Sequence, residues 1–169
     1  MSDSKKYVSV IKGLNIATIV IASLLIVLSL FFLGLSYVVS EAFNTFGGID
    51  SFVEEAINDS GEEGALLNKQ VQEFSVTAGH QYTSKELTST IVSAAYIVFV
   101  VYALDLLILD ILEIIFAAII LARIRKKDRA RSCLKFAIFN SVLSFLSLNF
   151  VSMVFGIVSS VLIHQRSKA

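Results

Sequence analysis

Residues 103 to 116 read ALDLLILDILEIIF, a run in which Asp105, Asp110 and Glu113 interrupt an otherwise continuous hydrocarbon stretch. Carboxyl groups in such a setting have a short list of chemistries. They can share a proton, bind a cation, or accept hydrogen bonds that tie helices together. At 100° per residue on a helix the three fall within an arc of about 140°, so they share one broad face. An ionised carboxylate at the centre of a bilayer costs at least about 2.5 kcal/mol on insertion scales, which requires that this face look into protein or a wet cavity. A low-dielectric site favours the neutral acid, and two carboxyls three residues apart resist double ionisation. Asp110 and Glu113 are therefore expected either to tie helices together as protonated acids or to share a proton or hold a cation.

Partners for these acids follow from depth. Arg123 ends the apolar run, and at 1.5 Å per residue Glu113 stands about 15 Å above it, Asp110 about 20 Å and Asp105 about 27 Å. The same count brings Ser23, Ser144 and Ser152 within about one turn of Asp110 and Glu113, with Asn140 lower and Asn149 near the outer turn. The expected intramembrane polar cluster is thus Asp105, Asp110, Glu113, Ser23, Ser144 and Ser152. No Lys or Arg is expected at that depth, so a buried ion pair is not.

The elements that must position this cluster are long and apolar. Across 169 residues the mean hydropathy is +0.78, with 56% hydrophobic and 17% charged residues, too apolar for an ordinary soluble domain. The expected fold is an all-α integral membrane protein, a four-transmembrane-helix bundle forming one membrane domain over 1–169. The first span covers 14–39; it follows Lys5, Lys6 and Lys12 but is too long for a cleaved signal peptide, which makes it a signal anchor. Residues 40–90 form an acidic extracytoplasmic loop, the second span covers 91–122, a basic cytoplasmic loop covers 123–133, and the last two spans cover 134–147 and 149–163. Within the acidic loop Ile49, Phe52, Val53, Ala56 and Ile57 keep helical spacing, with Asp50 as N-cap, and Leu67, Val71 and Phe74 follow as a second stripe. The intervening NDSGEEG supplies a turn, so a short helical hairpin is expected there. Thr83 with Glu86 forms a capping-box pattern that starts the next helix near Ser84.

Net charge is zero, but the charges are segregated. Arg123, Arg125, Lys126, Lys127, Arg129, Arg131 and Lys135 crowd one loop against Asp128, and Lys5, Lys6, Lys12, Arg166 and Lys168 lie near the two ends. By the positive-inside rule both termini and this loop are cytoplasmic, which demands an even number of crossings. Arg123, Arg125, Lys126, Lys127, Arg129 and Arg131 are the expected contacts to anionic lipid headgroups. Beside a membrane such a run marks orientation, and nucleic acid is not an expected partner.

Ser152, Gly156 and Ser160 recur every four residues, a small-residue stripe that lets another helix approach closely. Cys133 is the single cysteine; packing is its expected role, with S-palmitoylation the alternative. His80 and His164 fall on opposite sides of the membrane, and no HExxH, CxxC, P-loop or GxSxG motif is present. No enzyme activity, metal or cofactor is expected. Two functions remain: a partner-binding or regulatory subunit using the acidic outer loop, or a cation or proton channel or transporter subunit using the carboxylates. A homo-oligomer is compatible with either.

Overall fold

The computed structural model describes residues 3–78, 83–126 and 130–168. Those residues form six helices and no strand: α1 (Asp3–Thr45), α2 (Ile49–Asp59), α3 (Glu62–Ala78), α4 (Ser84–Arg123), α5 (Ala130–Leu146) and α6 (Phe150–Lys168). Among the described residues two helices are long and apolar enough to cross a membrane, through Lys6–Thr45 and Phe150–Ser167. The chain divides into two compact units, one of residues 1–31 with 103–169, the other of residues 32–102.

In the first unit the buried positions repeat at alternating intervals of three and four. On α5 and the turn after it they are Ala130, Cys133, Ala137, Asn140, Ser144 and Ser147, and on α6 with its cap residue Asn149, Ser152, Gly156, Ser159, Ile163 and Arg166. The lower part of α4 and the residue after it bury Asp110, Glu113, Ala117, Ile120 and Ile124 in the same rhythm, and α1 buries Ile11, Asn15, Thr18 and Ala22. A 3.5-residue period keeps one seam facing a neighbouring helix, as in a left-handed bundle. What occupies these seams is small or polar, whereas large apolar side chains such as Leu24, Ile108, Phe139, Val142, Phe145 and Val154 point outward. A soluble domain is sorted the other way round.

Small seam residues allow close approach. A Cβ added at Gly156 would stand 2.4 Å from Ser141 Oγ and 3.2 Å from Ser141 Cα, so α5 is the helix against which the small-residue stripe packs. The stripe itself turns by one residue from the expected register: Ser159 is buried, while Ser160 is half-buried and donates to Gly156 O at 2.8 Å. One apolar cluster, Ile11, Ile120, Ile124, Ala130, Cys133, Ala137 and Ile163, closes the end of the unit near Arg123. Cys133 is wholly buried there, which supports its packing role and leaves no thiol surface for a lipid-transfer enzyme.

The α5–α6 turn is a Schellman motif. Asn149 N–H donates to Ser144 O at 2.8 Å and Leu148 N–H to Phe145 O at 3.2 Å, with Leu148 at φ 57°. That left-handed position is usually Gly, and a leucine there costs about 1–2 kcal/mol. Asn149 then caps α6, its Oδ1 accepting from Ser152 N–H at 3.1 Å. Three residues reverse the chain.

In the second unit α1 ends in the same motif with the usual residue. Gly48 N–H donates to Phe43 O at 2.8 Å and Gly47 N–H to Asn44 O at 3.1 Å, Gly47 taking φ 81°. Gly48, without a side-chain cap, is the N-cap of α2, so Asp50 falls in the first turn instead of capping it. There its charge complements the helix dipole. Gly64 touches the α2 backbone so closely that an added Cβ would lie 2.3 Å from Ile57 O. Val53 and Val71 are buried between the stripes, but Phe74 is exposed and Ser75 takes the inward position. The capping box forms as expected: Glu86 N–H donates to Thr83 Oγ1 at 3.1 Å and Thr83 N–H to Glu86 Oε2 at 3.0 Å. Lys85 pairs with Glu54 of α2, and this hydrogen bond raises the Lys85 pKa above its ordinary value. Phe43 and Phe46 set edges against Phe52, Phe43 does the same with Tyr96, and the Tyr96 hydroxyl donates to Ser36 O at 3.0 Å.

The Gly156 contact gives a direct test of the seam. Gly156→Ala should destabilise the α5–α6 hairpin by about 1–3 kcal/mol, read as a lowered unfolding midpoint in detergent micelles. Ser141→Ala in the same chain should recover part of the loss by removing the nearer atom.

Candidate functional site

Glu113 lies at the centre of the first unit with no exposed surface. Its place on α4 follows from the seam, in which 110, 113 and 117 face inward at intervals of three and four. Both carboxyl oxygens accept hydrogen bonds from the α5–α6 turn: Ser147 Oγ donates to Oε1 at 2.8 Å, and Asn149 Nδ2 donates to Oε2 at 3.3 Å. Ser144, one turn before Ser147, also lies at this carboxylate while its hydroxyl donates to Asn140 O at 2.9 Å. Asn149 thereby joins three elements, capping α6 through its oxygen, holding α4 through its amide and closing the turn through its backbone.

Asp110 is the next acid outward, 1% exposed, and interacts electrostatically with Glu113. Its Oδ1 has no hydrogen-bond partner among the described residues; the same is true of Asn140 Oδ1 and Ser152 Oγ. A buried oxygen left unpaired is costly, so each of these atoms is chemically open to a proton, a water or a hard cation. Glu113 is satisfied by the protein and Asp110 is not.

Of the expected cluster, Asp110, Glu113, Ser144 and Ser152 share the buried interior of the unit, and two members fall outside it. Asp105 is exposed, because it follows the inward Ala103 by two residues and therefore points about 200° away from it. Ser23 is exposed too and donates to its own helix, to Ile19 O at 2.7 Å, one residue past the inward Ala22. Ser147 was not among the expected members, and Asn149 was placed near the outer turn. The signal for both is in SLN, which sets two polar side chains around an apolar apex.

Two further polar contacts lie outside the expected cluster. Asn15 Nδ2 donates to Ile11 O at 2.8 Å and reaches Ser159 Oγ at 3.4 Å, which joins α1 to α6. Arg166, read as an orientation mark, is buried, and its guanidinium donates to the backbone carbonyls of Ile124 and Arg125. A cation on the last carbonyls of α4 satisfies acceptors that the helix leaves open and complements the dipole.

The expected headgroup contacts divide in two. Arg125, Lys126 and Arg131 are exposed. Arg123 is half-buried, stacked 5.5 Å over the Phe136 ring and donating to Ser132 Oγ at 3.4 Å. Lys127 and Arg129 lie outside the described residues, as does His80.

Removing the Glu113 carboxyl should expose its structural role. Glu113→Ala leaves the Asn149 amide unpaired and weakens the anchor of Ser147, at about 1–3 kcal/mol per unsatisfied group. Glu113→Gln keeps one acceptor and should lose less, while Asp105→Asn should change nothing; chemical denaturation in micelles compares all three. No family model, curated protein or solved structure matches this chain.

Proposed function

We propose that this chain is a small, non-enzymatic multi-pass membrane protein that binds a basic, amphipathic segment of a partner protein through its acidic α2–α3 hairpin. In this reading α1, α4, α5 and α6 are the membrane-embedded helices. Both termini and the basic segment after α4 face the cytoplasm, against anionic lipid headgroups, and residues 40–90 face the other side. The membrane assignment is supported by the outward display of Leu, Ile, Val and Phe over an interior of Ser, Asn, Thr and carboxyl groups. The orientation is supported by the distribution of Lys and Arg.

One observation carries the binding role. A groove of about 320 Å³ opens where Phe52, Val53, Ile57, Leu67, Thr88 and Val92 meet. Glu63 stands on its wall, and Glu54, Glu55, Asp59 and Glu62 are exposed on the same two helices. An apolar slot with an acidic rim matches an amphipathic partner whose polar face is basic.

A second reading, a cation or proton pathway, is favoured by the unpaired oxygens of Asp110, Asn140 and Ser152. One set of experiments separates the two. A photoreactive residue at Leu67 should cross-link a partner in native membranes, and the adduct should vanish when Glu62 and Glu63 are changed to Lys, with insertion unchanged. An adduct indifferent to those changes contradicts the binding role. Proteoliposome flux that Glu113→Gln abolishes would favour the pathway.

A further inference from the structure

The turn between α5 and α6 is sorted inside out. Its polar side chains, Ser147 and Asn149, are buried on Glu113. Its apex, Leu148, is 57% exposed, and Phe145, Leu146, Phe150 and Val151 around it are each more than half exposed. A turn in water carries Gly, Asn, Asp or Ser at such an apex. Here the left-handed position itself is a leucine.

Depth gives the same answer by a separate route. Glu113 precedes Arg123 by ten residues, a rise of about 15 Å, against a hydrocarbon thickness of about 30 Å. A turn bonded to Glu113 therefore stops near the middle of the bilayer. The helices that lead to it, of 17 and 19 residues, are longer than that rise. The excess is taken up by slant: Ile163 packs with Ile120 and Ile124, and Asn149 meets Glu113. That pairs a climb of about 21 Å along α6 with one of only about 10–16 Å along α4.

We propose that α5 and α6 form a re-entrant hairpin that enters from the cytoplasmic face, turns at mid-bilayer and returns, with the ends of lipid acyl chains covering its apex. It replaces the two full crossings expected from segment length and keeps the C-terminal Arg166 on the cytoplasmic side, where it caps α4. Non-helical backbone at such depth is tolerated only when its polar groups are satisfied within the protein. The backbone N–H groups of Ser147, Leu148, Asn149 and Ser152 all donate to the protein. The inference rests on the membrane assignment above.

The absence of tryptophan from the sequence makes the test clean. Leu148→Trp, with Phe150→Trp as a second position, is reconstituted into phosphatidylcholine vesicles whose acyl chains carry bromine at graded depths. Strongest quenching by bromines near the chain ends, with no quenching by iodide, is the expected result. Strongest quenching by bromines next to the headgroups, or quenching by iodide, overturns the re-entrant hairpin while flotation of the protein with the vesicles upholds the membrane assignment. Failure to float overturns both.

Discussion

A single buried carboxyl organises the first unit. Glu113 receives Ser147 and Asn149 across two helices and a turn, and in a non-aqueous interior no solvent can substitute for either donor. In the membrane reading proposed above, hydrophobic burial cannot hold such helices together, because lipid chains outside are as apolar as any core. Association must come from close packing along seams of small residues and from hydrogen bonds between helices. Gly156 against Ser141 illustrates the first, and Glu113 with the turn illustrates the second. The arrangement gives the turn a fixed address on α4 that apolar contacts alone would leave free to slide.

The unit is layered by chemistry along its length. At one end Ile11, Ile120, Ile124 and Ile163 pack as an ordinary apolar plug, with Arg166 closing the α4 terminus. Above it Asn15 meets Ser159, and higher still Glu113 and Asp110 occupy the seam. Polarity therefore increases along the unit, away from that plug. The other unit obeys different rules, with aromatic edges, a capping box and an exposed ion pair between Lys85 and Glu54, all suited to water. Its acidic helices carry few buried side chains, Val53 and Val71 among them. Such a hairpin has surface to offer a partner.

Much of this was legible in the sequence, and the misses have separate causes. Thr83 and Glu86 announced the start of α4, and the glycines of NDSGEEG announced the α2–α3 reversal, because caps and turns are local chemistry. Asp110 and Glu113 were found because charge in hydrocarbon needs a reason. Asp105 and Ser23 were misassigned because a depth count and a wide arc ignore the seam, and only the 3-4 rhythm of Ala103, Asp110, Glu113 and Ala117 excludes Asp105. Asp50 lost its capping role because the preceding Gly47-Gly48 pair already terminates α1 and starts α2. Arg166 was opaque: a terminal arginine reads as solvated, and its fit to the α4 carbonyls depends on where three helices converge. Leu148 was opaque too, since leucine carries no signal for a left-handed turn.

The claim that Glu113 pins the hairpin is tested most directly by a double-mutant cycle between Glu113→Ala and Asn149→Ala, measured by reversible unfolding in bicelles. A pair that interacts should show a coupling of about 1 kcal/mol or more, the two losses together falling short of their sum. Losses that add within about 0.5 kcal/mol would mean that the two side chains do not act on one another, and the account would fail at its centre.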